Sequence, residues 1–171
     1  MAEATRQEAD TMAATINTYL NFKDTAAQAM DFYRSVFGGE LQRSTFAEYQ
    51  VSEDPAEQDK IMHSMLTTPS GQVLMAADTP NSMEYSAPAG HSLSVSGDDE
   101  AELRGYWEAL AGSGSEIVPL AQSPWGDSFG MCIDGFGVTW MVNIAGAPAA
   151  AGSPEDGSAA RSDAVGEPSG L

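Results

Sequence analysis

Apolar and polar residues first alternate at Ile16, Thr18, Leu20 and Phe22 against Asn17, Tyr19 and Asn21, which predicts a strand with one apolar and one polar face. Ala26, Ala29, Met30, Tyr33, Val36 and Phe37 then recur at helical intervals. Thr25-Ala26-Ala27-Gln28 before them has the spacing of a capping box, and Gly38-Gly39 ends the run. Strand-like segments follow at about 40–49, 60–68 and 73–77, separated by the acidic loop VSEDPAEQD and a Pro69-Ser70-Gly71 turn. The order is βαβββ.

The same order returns. A strand at about 91–96 leads into Asp98-Asp99-Glu100, whose charge suits a helix N-terminus. Leu103, Tyr106, Trp107 and Leu110 form a helical stripe closed by Gly112-Ser113-Gly114. After a strand at 115–120, Phe129, Met131 and Ile133 alternate with Gly130, Cys132 and Asp134 as a half-buried strand. Asp134-Gly135-Phe136-Gly137 turns the chain, and 138–143 resumes strand chemistry. Ile16 and His91 are 75 positions apart, as are Gly39 and Gly114. Such a fixed period predicts two βαβββ modules, at about 16–77 and 91–144, in one α+β domain over 15–145. Each sheet would be mixed and cupped, with its helix on one face and a cleft on the other.

Composition narrows the function classes. With 25 Asp plus Glu against 7 Lys plus Arg the chain carries a formal charge of −18, which repels phosphate backbones and anionic headgroups and attracts cations. Nucleic-acid and membrane partners are not expected. Residues 1–14, with neither a basic nor an apolar targeting pattern, read as a disordered leader. Residues 146–171, rich in Ala, Gly, Ser and Pro, read as a disordered tail. A single cysteine, Cys132, fits a reducing, cytoplasmic compartment and reads as a packed residue rather than a nucleophile.

Several stretches carry a resemblance. PWGDSFG followed by DGFGVTWMVN, together with YLNF at 19–22, AMDFYRSVFGGEL at 29–41, KIMHSML at 60–66 and VLMAADTP at 73–80, resembles the PhnB-like branch of the vicinal-oxygen-chelate superfamily. That superfamily also holds glyoxalases, extradiol dioxygenases and bleomycin-resistance proteins. The resemblance covers about 16–144 and implies the glyoxalase/bleomycin-resistance-like fold, the same paired modules, usually as a homodimer. It leaves function open, since such folds host metal-dependent lyases and oxygenases beside proteins that only sequester ligands.

Metal-dependent relatives place one ligand, usually His, Glu or Gln, on the cleft face of the first and last strand of each module. Carried onto this chain, those positions fall at Asn17, at Met75, at Thr139, Met141 or Asn143, and at Ser92, or at His91 if the fifth strand slips by one residue. Few of these suit a divalent metal, so no metal cofactor is expected. His63, sharing a face with Ile61 and Met65, is the best candidate for a polar anchor or general base. Trp125 could wall an apolar pocket and Asp127 could orient a polar or cationic ligand; Tyr19 and Tyr49 could reach the cleft. Trp107 and Trp140 read as packing residues. No Gly-rich cofactor loop follows the first strand, so the methyltransferase label historically attached to these proteins draws no support from the residues.

The leading expectation is a small-molecule-binding protein with a cleft of Tyr19, His63, Trp125 and Asp127 and without the usual metal centre. A metal-dependent lyase or dioxygenase, and a sequestering protein for a cationic antibiotic, are the alternatives.

Overall fold

A computed structural model describes residues 14–87 and 89–146. The expected leader and tail therefore lie, apart from Ala14 and Gly146, outside the described residues. The first module runs β1 (Thr18–Phe22), α1 (Ala26–Phe37), β2 (Glu40–Thr45), the short helix α2 (Phe46–Tyr49), a 3-10 turn at Pro55–Glu57, β3 (Ile61–Thr67) and β4 (Val73–Asp78). The second runs β5 (Leu93–Gly97), α3 (Glu100–Ser113), β6 (Ser115–Gln122), β7 (Ser128–Ile133) and β8 (Thr139–Ile144).

Each module forms a four-stranded mixed sheet, in the orders β1-β4-β3-β2 and β5-β8-β7-β6, with only its first and last strands parallel. The expected pair of βαβββ sheets is what the chain adopts. Leu20, Leu66 and Ala76 of the first sheet and Cys132, Trp140 and Val142 of the second turn toward the helices and join one buried cluster with Met30, Tyr33, Leu103, Trp107 and Leu110. Two sheets thus share a core, and the opposite face of each turns away from it.

The repeat is enforced by two close approaches. A Cβ on Gly39 would sit 2.1 Å from the Thr67 carbonyl oxygen, and one on Gly114 would sit 2.1 Å from that of Ile133. Only glycine lets each helix hand over to its next strand so near the edge of its own sheet.

Local readings needed correction at three places, and at a fourth the structure decides what alternation left open. Thr25 makes no side-chain cap; the Asp78 carboxylate, at the end of β4, accepts from Ala26 N at 2.9 Å and from Ile61 N at 2.9 Å, so the helix start is capped from across the sheet. The strand expected over 40–49 stops at Thr45, where Thr45 and Glu48 form a capping box that starts α2. The fifth strand begins at Leu93, so His91 lies before it, exposed. In β7 the small residues face the core: Gly130 abuts Trp107, where a Cβ would come within 2.8 Å of the indole, and Phe129 and Met131 point the other way.

Cys132 is buried, and burial, with Asp134 and Glu116 nearby, pushes its thiol up to about 11. In the folded protein it should not react with a thiol reagent at neutral pH and should label fully in denaturant. Rapid native labelling would show that β7 opens.

Polar groups join the parts. Asp134 is buried in the β7–β8 turn, and its Oδ2 accepts from Tyr33 Oη of α1 at 2.7 Å and from Trp140 Nε1 at 2.8 Å. Its Oδ1 accepts from Phe136 N and Val138 N. Burial first, then the Asp134 charge and hydrogen bond, push the Tyr33 phenol far above its ordinary value. Lys60, also buried, places Nζ 2.7 Å from Asp24 and 3.4 Å from Glu57 and donates to Asn81 and the Thr79 carbonyl. Burial pulls its pKa down, but the Asp24 and Glu57 carboxylates outweigh that and leave it raised. This cluster pins the β4–β5 connector under the excursion between β2 and β3.

Candidate functional site

The outward face of the first sheet is set by alternation. Leu20, Leu66, Leu74 and Ala76 point to the core, which leaves Tyr19, Met75 and Met65 in a row across β1, β4 and β3, with His63 and Ala77 beside them. The Tyr19 hydroxyl lies 3.2 Å from His63 Nδ1, and their rings are 5.7 Å apart. Burial raises the Tyr19 phenol above its ordinary value, which keeps it a neutral hydrogen-bonding group. The face is mostly apolar, half-buried and Met-rich, with one phenol and one imidazole.

The second sheet repeats the arrangement with different side chains. Met131 stands opposite Met141, Phe129 opposite Asn143, and Ser94 opposite Met141 on the β5 side. Trp125, 67% exposed in the β6–β7 turn, packs on Phe129 with ring centroids 6.4 Å apart. Within one chain the four sequence candidates thus fall into two pairs: Tyr19 with His63 on the first sheet, Trp125 and Asp127 at the edge of the second. Tyr49, at the end of α2, is exposed.

Asp127 is already engaged: Oδ2 accepts from Asn143 Nδ2 at 2.9 Å and Oδ1 from Gly146 N at 2.9 Å. It latches the end of β8 to the preceding turn. These bonds, the Asn143 amide first, hold its carboxyl below the usual carboxylate range. A depressed folded-state pKa contributes stability that is complete above the unfolded value of about 3.9 and is lost as pH falls through the folded value. The stability gap between the native sequence and Asp127→Asn should therefore be widest at neutral pH and close on acidification; thermal melts of both across that range check it, and a gap that widens in acid would reject the latch.

The positions that the resemblance assigns to metal ligands fall at Asn17, Met75 and Ser92 and, on β8, at Met141 with Thr139 and Asn143 flanking, while the alternative, His91, lies before β5. An amide, a hydroxyl and two thioethers do not fit a hard or borderline divalent ion, which selects carboxylate, imidazole or thiolate. Among the described residues no group of three or more His, Cys, Asp and Glu side chains is placed to hold a metal. None of the helices among the described residues is long and apolar enough to cross a membrane.

A separate groove of about 660 Å³ opens between the free edges of β1 and β5, over a floor that includes Phe37, Leu103 and Trp140, with Asp98, Asp99 and Glu102 at its rim. Tyr106 donates to Glu102 there; burial, then that carboxylate, pushes its phenol up to about 12. Sequence reasoning missed this groove, because two strand edges lying far apart in the chain define it. It also missed Phe129 and Met131, for which the signal was the pairing of small Gly130 and Cys132 with the bulky Trp107 stripe.

Comparisons with known proteins agree with this architecture. A sequence model of the family described as 3-demethylubiquinone-9 3-methyltransferase matches residues 14–143. The crystal structure of PA1353 from Pseudomonas aeruginosa is 38% identical, with a TM-score of 0.67 over 77% of this chain and 98% of that one. The PhnB protein from Bacillus cereus is 27% identical, with a TM-score of 0.62 over 77% of this chain and 100% of its own. A glyoxylase/bleomycin resistance protein/dioxygenase domain from Frankia, 14% identical with a TM-score of 0.54 over 81% of this chain and 95% of that one, shares the fold alone. With the family model spanning three quarters of the chain and both sheets in place, the protein belongs to that family, in the PhnB-like branch of the vicinal-oxygen-chelate superfamily.

Proposed function

We propose that the protein binds a small, flat, positively charged organic molecule on its outward sheet faces without help from a divalent metal. One observation carries this reading: the outward faces are built from Met and aromatic side chains, and the positions that the resemblance assigns to metal ligands carry amide, hydroxyl and thioether groups. Such surfaces repack around apolar and planar molecules at little cost, because methionine is flexible and polarizable. Tyr19 and His63 supply directional hydrogen bonds on the first sheet, and Trp125 with Phe129 a stacking platform on the second. The formal charge of −18 favours a cation over an anion. Asp127 contributes by holding the platform's loop rather than by touching the ligand.

The chain works in this reading as a homodimer, since Trp125, Ile117 and Val118 leave exposed apolar surface at the edge of the second sheet. Light scattering at micromolar concentration tests that part, and a monomer mass rejects it. For the ligand, a thermal-shift screen should compare planar organic cations with divalent metals, each with and without chelator. A ligand at about 100 times its Kd stabilises by about 2.7 kcal/mol. The expected result is stabilisation by an organic cation, indifferent to chelator and lost in His63→Ala or Trp125→Ala. Turnover that depends on an added divalent metal would favour the lyase or dioxygenase reading instead.

A further inference from the structure

The donor set that hard divalent ions reject is one that soft monovalent ions accept. Met65 and Met75 stand directly opposite on β3 and β4. Cβ atoms of such pairs lie about 4.5–5.5 Å apart, so two flexible thioethers can converge on one point above the pleat. His63 lies two residues before Met65 on the same face. Tyr19 is on β1 with β4 running between, yet its hydroxyl lies 3.2 Å from His63 Nδ1. Tyr19 and His63 therefore meet above β4, where Met75 and then the small Ala77 occupy that face.

We propose that Met65, Met75 and His63 form a site for a soft monovalent metal ion, copper(I), with two thioether sulfurs and His63 Nε2 as ligands. Thioethers select copper(I) over magnesium, calcium or manganese, and imidazole suits copper as well. Tyr19 completes the site without touching the ion. With Nδ1–H donated to the Tyr19 oxygen, Nε2 keeps its lone pair and the ring is fixed in orientation, as outer partners of metal-bound histidines do. The second sheet supplies an internal control: Met131 and Met141 repeat the methionine pair and Ser94 stands where Tyr19 does, but Phe129 occupies the place of His63. That sheet offers two sulfurs and no imidazole.

The site does not depend on the organic-cation reading, and the test separates them. Silver(I), a redox-inert probe, is titrated into the full-length protein carrying 13C-labelled methionine methyls, and copper(I) is titrated anaerobically against a chromophoric chelator. One equivalent of either ion should bind and shift the Met65 and Met75 methyl resonances. Met65→Leu, Met75→Leu and His63→Gln should each weaken binding at least about tenfold, and Tyr19→Phe by about tenfold. Met131→Leu and Cys132→Ala should leave it unchanged. Met→Leu conserves volume and an apolar surface, so the Met65→Leu/Met75→Leu double variant should fold, as a thermal melt checks. Undiminished silver binding in that folded double variant, loss of binding in Cys132→Ala, or no binding by the native protein would overturn the assignment.

Discussion

Asp134→Ala should lower the stability of the protein by roughly 3–5 kcal/mol, because it strands buried donors from two modules at once. The carboxylate accepts from Tyr33 Oη and Trp140 Nε1 through one oxygen and from two backbone N–H groups of its own turn through the other. Tyr33 and Trp140 are both buried, so no solvent stands ready to replace the lost acceptor. Asp134→Asn keeps the volume but turns an acceptor into a donor and should fall between alanine and the native residue. Tyr33→Phe removes a donor along with its need for a partner and should cost only about 1 kcal/mol. Urea unfolding of the three variants checks the ordering. A loss below about 1 kcal/mol for Asp134→Ala would mean that the two modules are joined by apolar packing alone.

The second large effect belongs to the paired glycines. Gly39 has φ +97° and no room for a methyl against the Thr67 carbonyl; Gly114 has an ordinary φ but meets the Ile133 carbonyl at the same 2.1 Å. Because the obstruction is backbone, it cannot swing away, and the helix end must move off its sheet. Gly39→Ala and Gly114→Ala should each cost more than about 2 kcal/mol. Gly137→Ala is the informative control, since that residue has φ +85° but nothing within 4 Å. It should pay only the left-handed backbone cost of about 1–2 kcal/mol. If all three variants lose the same amount, backbone conformation and not the close approach is what these glycines serve.

The glycine pair also shows why the fold was legible. Gly39 and Gly114 keep the 75-residue spacing visible in the sequence, and their contacts Thr67 and Ile133 are separated by 66, so the repeat survives where the loop lengths differ. The candidate site was legible in part. Tyr19, His63 and Met75 came from the alternation of β1, β3 and β4, and the structure brings the first two within hydrogen-bonding distance. What escaped was nonlocal. The cap on α1 comes from Asp78, 52 residues on, and the partner of Tyr33 is 101 residues away, so no local window contains either pair. The outward turn of Phe129 and Met131 escaped because alternation fixes which residues share a face, while Trp107, on another element, decides which face is filled.

In each sheet the first strand pairs only with the last, Thr18 with Leu74 and Leu93 with Trp140, at separations of 56 and 47 positions along the chain. Such a circuit imposes an order of events. The antiparallel hairpins β3–β4 and β7–β8 can zip locally, but β1 and β5 have no ladder to join until the fourth strand of their own module exists. During synthesis β1 must wait, unpaired, until residue 74 and beyond has emerged, and the second module repeats the delay. The helices α1 and α3, whose intrahelical hydrogen bonds are all local, do not have to wait for those ladders, so their amphipathic stripes are available to cover the apolar strand faces during those intervals.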